Sequence, residues 1–134
     1  MIGDTDFFID LMHPRSKKHG DAVAKAKELD ALGIGIAMTA LTRFELAAGV
    51  EMFVKPEIER EKVKALLGAH ATYDLDGRAA DLAGAIHGSL GAKGAAIGVA
   101  DSLIAAIAMS NGEELLTRNV KEFGRIEGLS IISY

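Results

Sequence analysis

From Val99 to Met109 every position except Asp101 and Ser102 is apolar. A helix apolar on every side leaves no face for water, so this stretch predicts a buried helix around which the chain is organised. A carboxylate near the start of such a helix is costly unless helix-terminal N–H groups, a hydrogen bond or a cation compensate it. For Asp101 taken alone, capping the helix N-terminus is the commoner role; ligation of a metal beside other carboxylates is the alternative.

The rest of the pattern reads in order. Met1 to Gly3 is a very short apolar start, ended by Asp4-Thr5-Asp6. Phe7 to Met12 predicts a short buried helix, stopped by His13 and Pro14, and Arg15 to Gly20 a basic surface turn. Ala22, Val23, Ala26 and Leu29 recur at helical spacing between Asp21 and Leu32, and Gly33 ends that helix. Ile34 to Met38 predicts a buried strand. Thr39 to Met52 and Pro56 to about Leu67 predict helices, the second with proline in its first turn. Thr72 to Leu75 is a short strand, Gly77 to Leu90 a helix rich in small residues, and Gly91 to Gly98 a flexible loop. After the central helix come a strand at Leu115-Leu116-Thr117, one helical turn at Asn119 to Phe123, and a last strand at Leu129 to Ile132.

Strands alternating with helices imply βαβ units and a mostly parallel sheet, whose ligand sites lie beyond the carboxyl ends of the strands. The residues just after the strands include Asp4, Asp6, the Thr39–Glu45 segment, Asn119 and Glu122. Asp101 opens the helix before another strand and approaches the same edge. Each acid has a structural explanation of its own. Thr42-x-x-Glu45 matches a capping box with Leu41 and Leu46 as its staple, and Asn119-x-x-Glu122 imitates one. Asp4 and Asp6 suit the first turn of a helix. What raises the set above these is convergence, because four segments bring acids to one predicted edge. Clustered carboxylates raise one another's pKa unless a cation neutralises them. Oxygen-only ligands favour Mg²⁺ or Mn²⁺ over zinc.

Composition narrows the choices. The 134 residues suffice for one domain with a proper core; 49% are apolar, 25% charged and 5% aromatic, an ordinary globular profile. The absence of cysteine excludes disulfides and thiolate metal sites and is compatible with a reducing cytoplasm. No apolar run approaches the roughly 18–20 residues of a membrane span, and MIGDTDFFIDLM lacks the basic start of a signal peptide. A net charge of −4 and a pI near 5.5 mean that nucleic acid, if bound, is held by local patches or a bound cation. His13, His19, His70 and His87 are scattered and read as surface or loop residues. Gly84, Gly88, Gly91 and Gly94 lack the Gly-Lys-Ser/Thr of a phosphate loop. Ser89, Ser102 and Ser110 lack the G-x-S-x-G context of a serine hydrolase. The Lys/Glu run from Lys55 to Lys64 reads as a solvated helix face.

DTDFFIDL, TALTRFELAAG at Thr39–Gly49, ADSLIAAIA at Ala100–Ala108, LLTRNVKEF at Leu115–Phe123 and the ending RIEGLSIISY together resemble the PIN-domain ribonucleases, and among them the VapC-type toxins of prokaryotic toxin–antitoxin pairs. The resemblance runs over almost the whole chain and implies a single PIN-like α/β domain over residues 1–134, a mostly parallel central sheet flanked by helices. It places the family's acids on Asp4, Glu45, Asp101 and Glu122, as metal ligands and catalytic carboxylates. Two departures stand out: Asp6 replaces the usual Asn or Ser, a supporting residue that is either an extra ligand or a neighbour tuning Asp4, and Glu122 replaces an Asp, one methylene longer. Thr117 and Asn119 would hold the site by hydrogen bonds. The resemblance further implies Mg²⁺- or Mn²⁺-dependent cleavage of RNA to a 5′-phosphate and a 3′-hydroxyl, a homodimer, a cytoplasmic location and silencing by a cognate antitoxin. Arg15, Lys17, Lys18, Arg118 and Lys121 are candidate phosphate contacts, with ordinary surface charge as the alternative. Two other functions share the fold: a PIN nuclease of RNA processing or repair, and an inactive PIN domain kept as a binding module.

Overall fold

The computed structural model describes all 134 residues. Its strands are two residues long and all pair in parallel: β1 (Ile2–Gly3) with β4 (Leu115–Leu116), β4 with β5 (Ile131–Ile132), and β2 (Met38–Thr39) with β3 (Thr72–Tyr73). A single parallel bridge between Ile2 and Ala37 joins the two ladders, giving the order β3-β2-β1-β4-β5. Seven helices wrap this sheet: α1 (Thr5–Met12), α2 (His19–Ala31), α3 (Ala40–Val50), α4 (Pro56–Ala69), α5 (Gly77–Ala92), α6 (Val99–Ser110) and α7 (Val120–Phe123).

Alternation along these short strands makes two cores, because successive side chains leave a strand on opposite faces. Ile2, Leu115 and Ile131 pack with α5 and α6, in a cluster that includes Ile104, Ile107 and Ala108. Met38, Leu116 and Ile132 turn the other way, onto Phe7 and Phe8 of α1, Leu46 and Val50 of α3, and Val63 of α4. Gly3, in register with Leu116, faces this second core. A Cβ at Gly3 would stand 2.9 Å from Phe7 Cδ1 and 3.0 Å from Phe8 Cε2, so the close approach of β1 to α1 requires glycine. The central helix is buried through its middle, although its first residue, Val99, is exposed and Leu103 and Met109 are half-buried. Ile104 to Ala108 are all buried, and each isoleucine contributes about 1.5–3 kcal/mol relative to exposure.

Several local expectations are corrected. The strand expected over Ile34–Met38 is only Met38–Thr39. Gly33, at φ 70°, closes α2 in a Schellman turn: its N–H bonds Asp30 O at 2.9 Å, and Ile34 N–H bonds Leu29 O at 2.9 Å. The chain therefore reaches the sheet only at Ala37. The helix expected from Asp21 starts at His19, inside the predicted basic turn. Glu59 is not on a solvated face: it is 3% exposed, its Oε1 2.6 Å from His13 Nε2. The histidines lie at helix ends or on the surface, as expected, and each has a partner. The Nδ1 atoms of His13, His19 and His70 meet the carbonyls of Ile9, Asp10 and Ile36, and His87 meets Ser102 at 3.3 Å. No helix is long and apolar enough to cross a membrane.

Candidate active site at the acidic sheet edge

β1 ends at Gly3, and the next residue, Asp4, is 4% exposed. It is the N-cap of α1, with Oδ1 accepting the Phe7 N–H at 2.8 Å. Its Oδ2 accepts the hydroxyl of Thr117, the residue just after β4. Both oxygens are thus fixed by neighbours, and each keeps a lone pair. Burial pushes the Asp4 carboxyl up to about 7; the bonds from Thr117 and Phe7 work against this, and the negative charges of Asp6 and Asp101 add to it.

Glu45 reaches the edge from the middle of α3. The capping box expected at Thr42 does not form, because the helix starts earlier. Thr39 is the N-cap, and its hydroxyl accepts the Thr42 N–H at 3.1 Å. Thr42 is buried within the helix, and Glu45 Oε2 accepts instead the hydroxyl of Thr5, the residue after Asp4. Asp101 is not a cap either. Gly98 holds the N-cap position of α6, and Asp101 lies in the first turn, where the helix dipole favours negative charge. Its carboxyl is held above its ordinary value first by burial, then by Glu45, Asp6 and Glu122. That set of neighbours brings the acids of four segments into one field.

Glu122 sits at the margin. Its Oε2 pairs with Arg125 Nη1 at 2.9 Å, and the capping box with Asn119 is absent, since Asn119 makes no side-chain cap bond. The Asn119 backbone N–H instead bonds Thr117 Oγ1 at 2.9 Å, steadying the hydroxyl that holds Asp4. Among the candidate phosphate contacts, Lys18 pairs with Asp21 at 2.8 Å, whereas Arg15, Lys17 and Lys121 are exposed. Arg118 lies against Asp6 and Asp10, and these acids outweigh burial to keep it firmly protonated. Sequence reasoning missed Thr5 and Asp10. Both sit in α1 beside the predicted acids, but only their partners give them a role: Glu45 of α3 for Thr5, and Ser16, Arg118 of the loop after β4 and Tyr134 for Asp10.

The donor chemistry fits a hard divalent cation: several carboxylates, no sulfur, and two of the acids burdened by burial and by neighbouring negative charge. As folded here, no three acidic or histidine side chains form a ready-made coordination shell.

A PIN domain family model matches residues 1–129. The chain is 33% identical to the tRNA(fMet)-specific endonuclease VapC of Salmonella typhimurium, over 72% of this chain and 73% of that protein. It is also 33% identical to ribonuclease VapC2 of Rickettsia felis, over 84% of each. Among solved structures, VapBC2 from Rickettsia felis bound to a DNA fragment from its promoter superposes with a TM-score of 0.85. That match has 28% identity and covers 99% of this chain and 97% of the other. With the acidic edge at the carboxyl ends of its strands, the chain belongs to the PIN-domain family, as a ribonuclease toxin of the VapC type.

Proposed function

We propose that the chain hydrolyses RNA phosphodiesters with the help of Mg²⁺ or Mn²⁺, and that Asp4, Glu45, Asp101 and Glu122 are the carboxylates that hold the ion. The observation that carries this is the Asp4–Asp101 pair. Two half-buried or buried acids, from elements far apart in the chain, are both pushed up by burial and by the negative charge around them. A fold that keeps such a costly arrangement is compensated when a cation binds it. A divalent ion there supplies positive charge to a phosphate oxygen and acidity to an attacking water.

The chain's own groups prepare that chemistry. Phe7 N–H and Thr117 Oγ1 fix the plane of the Asp4 carboxylate from both sides. Thr5 fixes Glu45, so two ligands from α1's start and α3 keep their relation as the site fills. Asp4, half protonated near neutral pH, gives up that proton on metal binding, so affinity rises with pH. Glu122, drawn towards Arg125, completes the set from its margin. Thr117 and Asn119 are supports rather than ligands.

The likeness to VapBC complexes supports a cognate antitoxin that covers the acidic edge, and the family supports a cytoplasmic homodimer. The test is cleavage of a labelled oligoribonucleotide by purified protein with Mg²⁺ or Mn²⁺, with and without EDTA, and mapping of the ends. Expected are 5′-phosphate products and no cleavage under chelation. Undiminished cleavage after exhaustive chelation would overturn the metal-dependent mechanism.

A further inference from the structure

Asp10 is an acid that this chemistry does not use, and it is 2% exposed. It lies one helical turn beyond Asp6 on the same face of α1. Its Oδ1 accepts the Ser16 hydroxyl, and its Oδ2 accepts the Tyr134 hydroxyl at 2.9 Å. A buried carboxylate still needs a cation, and Arg118 provides it, with Nε 3.1 Å from Asp10 Oδ2. The same guanidinium places Nη2 3.3 Å from Asp6 Oδ2. It therefore bridges two carboxylates one turn apart while 37% of its side chain stays open to water. Arg118 is carried on the loop between Thr117, which bonds Asp4, and Asn119, which bonds Thr117. The open edge of a fixed cation is thus set beside the buried acid of the site.

We propose that Arg118 binds a phosphate of the RNA next to the one being cleaved, and that Asp10 and Asp6 are positioning residues that hold its guanidinium there, Asp6 being a tether rather than a metal ligand. The proposal rests on the ribonuclease reading above and gives this chain's unusual Asp6 a task. Arginine suits it better than lysine. Its planar fork can face two carboxylates along two edges and still present N–H groups to a phosphate. Asp6 also needs such a partner, since unpaired it would add its full charge to the field already burdening Asp4 and Asp101.

The test uses the full chain and two probes. Anisotropy of a fluorescent oligoribonucleotide in Ca²⁺, across a KCl titration, reads the phosphate contact. Arg118→Met should weaken binding about tenfold and make the slope of log affinity against log salt shallower by about 0.7, the value of one contact on a single strand. Arg118→Lys should keep the wild-type slope with a smaller loss of affinity. Because Arg118→Met leaves Asp10 buried without a cation, the measurement is repeated in Asp10→Asn/Arg118→Met, where the same slope change is expected. Calorimetry with Mg²⁺ alone reads the tether: Asp6→Asn should bind Mg²⁺ within about threefold of wild type. Wild-type affinity and slope in Arg118→Met and in Asp10→Asn/Arg118→Met would remove the phosphate contact. A loss of Mg²⁺ affinity of tenfold or more in Asp6→Asn would make Asp6 a ligand. Failure of the wild type to cleave RNA would overturn the ribonuclease mechanism alone, since the anisotropy and calorimetry still decide the role of Arg118 and Asp6.

Discussion

Without divalent ions, this protein should lose stability as the pH rises from 4 to 8, and Asp4 should be the main reason. In the folded chain burial lifts its carboxyl from 3.8 to about 7; in the unfolded chain it returns to the ordinary value. Between those two values the folded state binds the extra proton, so stability falls as pH increases. The favourable contribution of the neutral carboxyl is complete below about pH 4 and gone above about pH 7. A difference of about three in pKa, at about 1.36 kcal/mol for each, gives roughly 4 kcal/mol over that window. Asp101 is shifted in the same direction and steepens the fall.

The assay is urea unfolding at constant ionic strength in EDTA, on wild type and Asp4→Asn, at half-unit steps from pH 4 to 8. Asparagine caps a helix about as well as aspartate, so the N-cap bond to Phe7 survives the exchange. Other titrating groups act in both proteins and cancel in the comparison. The stability of wild type relative to Asp4→Asn should drop by several kcal/mol across the window and level off above pH 7. Saturating Mg²⁺ should restore the wild type at high pH, by about 2.7 kcal/mol at a hundredfold excess over its dissociation constant. A difference between the two proteins that stays flat from pH 4 to 8 would refute the claim that burial outweighs the bonds from Phe7 and Thr117 and lifts the Asp4 carboxyl.

Three further outcomes test the site and the fold. Asp101→Asn should abolish nearly all cleavage, whereas Glu122→Gln, held at the margin by Arg125, should lower it roughly tenfold; equal loss in two folded variants would make Glu122 a full member of the set. Because Gly98 rather than Asp101 caps α6, Asp101→Asn should leave the metal-free protein as stable or more so and shrink its Mg²⁺ response in thermal melts, and an unchanged response would take Asp101 out of the site. Gly3→Ala should destabilise by about 1–3 kcal/mol through overpacking, lowering the melting temperature by several degrees; a wild-type melt would mean that β1 and α1 are less tightly joined than the contacts with Phe7 and Phe8 require.

The periodic parts of the fold were legible in the sequence because periodicity is local. The apolar run of α6 named a buried helix, and the amphipathic spacing of Ala22, Ala26 and Leu29 named α2. Strand limits were much harder to read. With two residues per strand, an apolar run such as Ile34–Met38 does not say where pairing starts, and the Schellman turn at Gly33 decided it. Glu59 was misread for a related reason. A charged helix reveals its solvated face by period, but not that one acid on it meets His13, 46 residues away in sequence.

At the site, the local motifs that competed with function were tested one by one by cap geometry, and they did not share a fate. Asp4 does cap α1, and the same carboxylate is the most burdened acid of the edge. Capping and chemistry are therefore compatible there: the cap bond occupies one lone pair of Oδ1 and leaves the rest of the carboxylate to the site. The boxes at Thr42–Glu45 and Asn119–Glu122 do not form, and Gly98 takes the cap expected of Asp101. Freed from capping, Glu45 turns to Thr5, Asp101 to the common acidic field, and Glu122 to Arg125 one turn on. Thr5 claims Glu45 and Thr117 claims Asp4, across 40 and 113 residues of chain. No short motif encodes such contacts. What the sequence did carry was that Asp4 and Glu122 follow strands β1 and β4, whose carboxyl ends lie at one edge of a parallel sheet; Glu45 and Asp101 join that edge from within α3 and from the first turn of α6.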